Sequence, residues 1–154
     1  VAGAECREAS VFQGLRHLVR PRPEDLVIVH DGARPCLHPG DLQRVINSAR
    51  EWGAALAVTP VRDTLKRVRN HEVAETVNRD NLVHALTPQI ARYDWLKQAF
   101  DKAKDLSLFT DESGLLEAEG HQVRTVHLDH PNPKVTFSQD LHLAEVILSL
   151  HQRI

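Results

Sequence analysis

Methionine is absent from the 154-residue sequence, and cysteine occurs only twice, at Cys6 and Cys36. A chain that opens on Val1 without a single Met is not an unprocessed translation product as it stands, so a segment ahead of Val1 is expected to be missing. Two cysteines are too few for a disulfide framework and are not spaced as a zinc knuckle, which leaves reduced thiols. No apolar run approaches the roughly 20 residues of a membrane span. No charged segment with an apolar stretch and cleavage site opens the chain either, so the default expectation is cytoplasmic. Positive charge is not in excess: 19 Lys+Arg stand against 21 Asp+Glu, which leaves a nucleic-acid binder acting through a strong basic field without support. Neither GxGxxG nor GxxxxGK followed by Ser or Thr occurs, and there is no internal repeat or low-complexity linker. What remains, 42% hydrophobic and 26% charged, is the composition of one globular domain with its own core.

The apolar pattern alternates between helix and strand periods. Val11, Leu15, Leu18 and Val19 mark a helical stripe with Ser10 as its expected N-cap, ended by Pro21 and Pro23. Leu26 to His30 is a short apolar run that reads as a buried parallel-type strand. Leu42, Val45, Ile46 and Ala49 restore helical spacing up to Gly53, a C-terminal signal, and Ala54 to Val58 is a second buried strand closed by Pro60. Strand, helix and strand make a βαβ unit. Thr64 to Arg69 and Glu72 to Val77 break the rhythm as a polar hairpin with almost nothing to bury, so it is expected to pack on something else. Leu96, Ala99, Phe100 and Ala103 mark another helix, and Thr110 to Glu119 a shorter one capped by Thr110 and stopped by Gly120. Val123 to Val126 and Lys134 to Phe137 are strand candidates. A last helix, capped by Ser138, is expected to turn Leu141, Ala144, Ile147 and Leu148 inward. The predicted class is α/β, a mostly parallel three-layer sheet with one polar excursion.

In such sheets ligands bind beyond the carboxyl ends of the strands, which singles out Asp31 to Arg34. A carboxylate there can hold a ribose hydroxyl or a metal-bound phosphate, Gly32 lets a ligand approach the main chain, and Arg34 matches phosphate oxygens bidentately. A turn-capping Asp with a surface Arg explains the hexapeptide His30 to Pro35 equally well. Thr87 to Gln89, Thr110 to Glu112 and Asn132 to Thr136 also fall at expected element boundaries, where sites concentrate. Ten histidines are scattered without an HExxH pair. The one tempting metal cluster, His127, Asp129 and His130, reads equally as a polar turn before a strand.

Taken in order, Gly3, Arg7, Ser10-Val11 and Gly14-Leu15, then Val29 to Pro35, Pro60 to Lys66, Thr76 to Arg79, Leu86 to Gln89, Thr110 to Glu112, Asn132 to Thr136, and Asp140-Leu141 with Ala144-Glu145 resemble the motifs of 2-C-methyl-D-erythritol 4-phosphate cytidylyltransferases. The resemblance covers nearly the whole chain. It implies a three-layer, Rossmann-like nucleotidyltransferase fold with a protruding β-arm. The implied reaction is cytidylyl transfer from CTP to methylerythritol phosphate, with Mg²⁺, releasing pyrophosphate in non-mevalonate isoprenoid synthesis. In-line attack of a phosphate oxygen on the α-phosphorus needs positioning and cationic stabilisation rather than a protein nucleophile. By resemblance, Gly3, Ala4, Glu5 and Ser10 line the cytosine and ribose pocket, while Asp31 and Gly32 meet the ribose and the metal-phosphate region, Asp31 as the metal ligand. Lys134 contacts the phosphate of the attacking substrate, Arg34 organises that pocket, and Thr87 and Thr110 hydrogen-bond the acceptor. Residues 63–79 form a dimerisation arm whose Thr64 and Arg79 complete the partner's substrate site in a homodimer. Plainer readings exist: a solvated arm charge for Arg79 and an edge-protecting lysine for Lys134.

The sequence departs from the family at Ala4 (usually Gly), Glu5 (usually Asp), Asn78 (usually Asp) and Pro133 (usually apolar). The resemblance further implies one domain over residues 1–154 that lacks its first strand and glycine-rich triphosphate loop, and so is inactive alone. Two other readings stand beside it: a pentitol-phosphate cytidylyltransferase on the same scaffold, and a non-catalytic dimerising, nucleotide-binding remnant.

Overall fold

The computed structural model describes residues 2–151. Helix α1, Arg7–Arg16, is capped by Cys6, whose sulfur accepts from the Ala9 amide, so Ser10 lies inside the helix rather than at its cap. The helix ends well before Pro21, and Leu18 and Val19 are exposed outside it. Strand β1, Leu26–Val29, leads to helix α2, Pro39–Trp52, which His38 caps through a ring nitrogen that accepts from Gly40. Pro39 suits a first-turn position whose N–H has no helical partner, and Gly53 closes α2 in the left-handed conformation, as the periodicity predicts. Strand β2, Ala54–Pro60, is buried over Ala54 to Val58. The hairpin is present as β3, Leu65–Arg69, and β4, Glu72–Val77, an antiparallel pair that forms its own two-stranded sheet.

The next element departs from the sequence pattern. Residues expected to form a boundary loop, Thr87 to Gln89, lie inside a ten-residue strand β5, Val83–Arg92. Proline within an apolar run argues against a strand because it cannot donate to a ladder. Here the pairing of β5 with β2 is irregular across Pro88: Gln89 faces Leu56, but Ala85 faces Val58. The proline sits where the ladder is already interrupted.

Helix α3, Tyr93–Lys102, buries Leu96, Ala99 and Phe100 as expected. Helix α4, Glu112–Ala118, is capped by Asp111 rather than Thr110, the Asp111 carboxylate accepting from the Gly114 amide. Strand β6 is Arg124–His127, so the polar turn at Asp129 and His130 follows a strand instead of preceding one. Residues 134–137 form no strand. Pro131 and Pro133 remove backbone donors nearby, and the Thr136 and Phe137 amides are drawn to the Asp140 carboxylate at the start of helix α5, Ser138–His151. That carboxylate, not a Ser138 cap, closes the helix end. Ala144 and Ile147 face inward, but Leu141 and Leu148 are exposed.

The sheet order is β1-β5-β2-β6. β1, β2 and β6 share one direction, and β5 runs against them, hydrogen-bonded to both β1 and β2. The expected βαβ unit therefore keeps its parallel sense but not its adjacency. Being an edge strand, β1 is only partly covered, with Ile28 exposed, in place of the fully buried strand its composition suggests. Side chains alternate across the sheet as the pleat requires: Val29, Ala54 and Ala91 pack on α1, α3 and α4. Ala55, Ala57 and Ile90 pack on α2. Helices on both faces give the expected three layers, and the carboxyl ends of β1 and β2 open toward the loops that carry the charged residues.

Gly53 offers a direct check on this packing. Its φ is +86°, and an added Cβ would lie 2.3 Å from Cη2 of Trp95. Gly53→Ala is expected to destabilise the fold by roughly 2–3 kcal/mol, combining left-handed strain with overpacking, measurable by denaturant unfolding.

Candidate active site

Asp31 follows β1 at the sheet's carboxyl edge, and cations converge on it from three elements. Arg7 of α1 reaches Oδ1 through Nε at 3.2 Å, Arg34 reaches Oδ2 at 3.3 Å, and the Lys134 ammonium lies 3.5 Å from Oδ2. Arg7 also makes a bidentate pair with Glu112, Nη1 to Oε1 at 2.8 Å and Nη2 to Oε2 at 2.9 Å. The Glu112 side chain is 2% exposed. Burial works against the Arg7 charge, but the hydrogen bonds and attraction from Glu112 and then Asp31 outweigh it and raise the guanidinium above its ordinary value. Burial likewise opposes the Asp31 charge, and is overcome by the Arg7 hydrogen bond and the charges of Lys134, Arg7 and Arg34, which hold the carboxyl below the usual range.

A second network fixes the backbone around Asp31. The Asp31 amide donates to Thr87 Oγ1 at 3.0 Å, and Thr87 Oγ1 lies 3.0 Å from His30 Nδ1. The other ring nitrogen is 3.0 Å from the Arg34 carbonyl. A carbonyl only accepts, so His30 donates through Nε2, and its Nδ1 shares a hydrogen bond with the Thr87 hydroxyl. Gln89, also on β5, ties in α4: its Nε2 donates to Asp111 at 3.0 Å, and its Oε1 accepts from the Ser113 amide at 2.8 Å. The loop that carries Lys134 is held by Asp41 of α2, which accepts from the Asp129 and His130 amides and from the His130 ring. These bonds outweigh burial and keep the Asp41 carboxyl low.

The result is an open cleft of about 260 Å³ lined by Arg7, Asp31, Arg34, Thr87, Thr110 and Lys134, among others. Five residues expected from sequence thus meet in one place: Asp31, Arg34, Thr87, Thr110 and Lys134. Thr87 is buried with its hydroxyl engaged, whereas Thr110 is exposed. A Cβ at Gly32 would meet nothing within 4 Å, so the main chain there is open to approach. Gly3, Ala4 and Glu5 lie on an exposed stretch before α1, and Ser10 braces it by accepting from the Ala4 amide at 2.9 Å. Thr64 and Arg79 are exposed and do not line this cleft; Arg79 donates to the Arg62 carbonyl. Roles for Arg7, His30, Asp41, Gln89, Glu112 and Asn132 escaped the sequence reading, because their side chains act through tertiary partners far away in the chain. The His127, Asp129 and His130 cluster holds the Asp41 and Arg44 partners instead. Among the described residues no group of three or more His, Cys, Asp or Glu is placed to hold a metal.

The family model for 2-C-methyl-D-erythritol 4-phosphate cytidylyltransferase matches residues 1–150. The chain belongs to this family. It is 46% identical over 151 residues to the 2-C-methyl-D-erythritol 4-phosphate cytidylyltransferase of Azoarcus sp. (strain BH72), an alignment covering 96% of this chain and 62% of that one. It is 39% identical over 154 residues to that of Pelotomaculum thermopropionicum, covering 99% and 64%. Among solved cytidylyltransferases of this name, that of Francisella tularensis superposes with a TM-score of 0.86 at 31% identity, covering 94% of this chain and 69% of that one. The Thermus thermophilus structure gives 0.85 at 34%, covering 97% and 72%. The chain therefore spans less than two thirds of the length of the two sequence relatives.

Two outcomes test the electrostatics of this cleft and its supports. Glu112→Ala leaves the Arg7 charge half-buried without its main partner; breaking a buried pair costs about 3–5 kcal/mol, and with Arg7 30% exposed roughly 2–3 kcal/mol is expected in chemical denaturation. Asp41 has a depressed folded pKa, so its contribution is complete above the unfolded value near 4 and is lost as pH falls through the folded value. Asp41→Asn should lower stability at pH 7 and flatten the loss of stability on acidification below about pH 4, followed by thermal unfolding across pH.

Proposed function

We propose that the protein transfers the cytidylyl group of CTP to 2-C-methyl-D-erythritol 4-phosphate, releasing pyrophosphate, in non-mevalonate isoprenoid synthesis. The observation that carries this reading is the convergence of Arg7, Arg34 and Lys134 on Asp31 inside the cleft. An acceptor phosphate attacking the α-phosphorus of CTP brings negative charge that must be placed in line and stabilised, and fixed cations do both without reorganising. Lys134 keeps 48% of its side chain exposed and has the longest of the three separations from Asp31. Its ammonium is the cation best able to turn from the carboxylate to an incoming phosphate. Arg34, held between Asp31 and the Asn132 carbonyl, presents a preset guanidinium to the same anion. Thr110 supplies an exposed hydroxyl for the acceptor. Gly3, Ala4, Glu5 and Ser10 are assigned to the cytosine and ribose side, with Gly32 and Asp31 between the two halves.

Asp31 would also hold Mg²⁺. One carboxylate, with no further acidic cluster among the described residues, suits a cation that keeps its waters and takes the rest of its ligands from substrate phosphates. When bound with CTP, that ion supplies neutralisation of the triphosphate charge.

The hairpin supports a homodimer. A two-stranded ribbon is marginal alone in water, and this one leaves Val68 and Val73 exposed and pairs with no other strand among the described residues. Docked on a second subunit by twofold exchange, it would bring Thr64 and Arg79 to the partner's cleft. No helix among the described residues is long and apolar enough to cross a membrane; with Cys6 and Cys36 free thiols, a reducing, cytoplasmic setting fits.

The protein expressed from its complete reading frame should turn over CTP with methylerythritol phosphate. Turnover of ribitol phosphate alone would assign it to pentitol phosphates instead, and binding without turnover would make it a non-catalytic module. Lys134→Ala and Arg79→Ala should each lower kcat by about 10²-fold while stability changes by less than about 0.5 kcal/mol, and Asp31→Ala should weaken CTP use and Mg²⁺ dependence together. Unchanged rates in all three would remove the assignment.

A further inference from the structure

Lys134 belongs to a stretch with little regular structure of its own to hold it in place. Pro131 and Pro133 lack backbone donors, and residues 131–136 form neither helix nor strand. The ammonium nevertheless stands 3.5 Å from Asp31. Behind it, Asn132 is 4% exposed, and its two ends reach different elements. The side-chain amide donates to the Thr87 carbonyl on β5 at 2.9 Å, and the main-chain carbonyl accepts from Arg34 Nη1 at 2.9 Å. One residue beyond Lys134, the Val135 amide donates to the Ala33 carbonyl at 2.8 Å. Lys134 is thus bracketed by bonds to the loop that bears Asp31 and Arg34 and to the strand whose Thr87 hydroxyl receives the Asp31 amide.

Asn132 is a poor core filler. Its Oδ1 is buried with no hydrogen-bond partner among the described residues, a cost that an apolar side chain of the same size would avoid. What the residue contributes is direction: it fixes the loop against β5 while its own carbonyl orients the Arg34 guanidinium.

We propose that Asn132 is a positioning residue for the transfer reaction, joining Thr87 and Arg34 so that the Lys134 ammonium and the Arg34 guanidinium are held at a set separation around Asp31. This rests on the cytidylyltransferase reading. Acting through Lys134, it governs the acceptor side and leaves the CTP side alone.

The test is a double-mutant cycle in the protein from its complete reading frame, with CTP and methylerythritol phosphate as substrates. Asn132→Ala should lower kcat/KM for the acceptor by about 30- to 100-fold, the scale of a 1 Å misplacement, with KM for CTP unchanged within about twofold. In a Lys134→Ala background the same change should cost about threefold or less, because one of the two groups it positions is gone and the other, Arg34, keeps its bond to the main-chain carbonyl of residue 132. Asn132→Leu, which has a similar shape but cannot donate to Thr87 and adds no buried polar atom, carries the same expectation should the alanine variant not fold. An equal loss in both backgrounds, a parallel rise in KM for CTP, or no loss at all overturns the role of Asn132 while the parent's turnover leaves the function standing. A parent without cytidylyl transfer overturns the function reading and this role with it.

Discussion

A carboxylate as enclosed as Glu112 is tolerated only with a partner that restores what water gave it, and Arg7 is that partner. The pair is bidentate, so it fixes orientation as well as charge. Arg7 sits on the first turn of α1 and Glu112 on the first turn of α4, so the pair ties together two helices 105 residues apart in sequence. The remaining donor of the same guanidinium reaches Asp31. Three segments, the start of α1, the end of β1 and the start of α4, are thereby assembled around one cation. Helix α1 depends on it most, since Leu15 is its one buried apolar side chain, and Glu8 is its other buried residue.

From that cation the order passes into the main chain through β5. Because β5 lies between β1 and β2, its side chains reach the site from the middle of the sheet. Thr87 receives the Asp31 amide, Gln89 holds both Asp111 and the Ser113 amide, and the Thr87 carbonyl receives Asn132. A βαβ unit with adjacent parallel strands would have no such central strand. The antiparallel insertion puts a rigid, buried rail beneath loops that are themselves short of regular hydrogen bonds.

The elements most legible in the sequence are those whose local and tertiary signals agree. Helix α2 has a proline at its first position, a periodic apolar face and a left-handed glycine at its end. The hairpin β3–β4 shows itself by its charge and its few apolar residues, which have no core of this chain to serve. Reading fails where one residue type does an uncommon job. Pro88 masks β5 because its missing donor matters only where a ladder is regular, and there it is not. Cys6 takes the cap expected of Ser10. The α5 helix displays apolar residues around most of its circumference, so spacing could not tell that Ala144 and Ile147 are its inward pair while Leu141 and Leu148 are not.

At the site, motif and role part company in an instructive way. Asp31 and Arg34 are legible because they follow a strand at the sheet's carboxyl edge, and Lys134 through its place in the family's motif order. Thr87 is legible as a site residue, and the contacts it makes within the fold are not. At 3% exposure, its hydroxyl already joins the Asp31 amide to the His30 ring, and its carbonyl already joins Asn132. A sequence motif records that a residue type is needed at a place, and that need is met equally by touching a ligand or by holding the residues that do. Which applies depends on whether any hydrogen-bonding capacity remains once the fold is formed. For Lys134, 48% exposed and bound only at long range to Asp31, some remains; Thr87 lies on the cleft wall with its hydroxyl and carbonyl already engaged within the fold, so a hydrogen bond from it to a ligand would share one of those contacts.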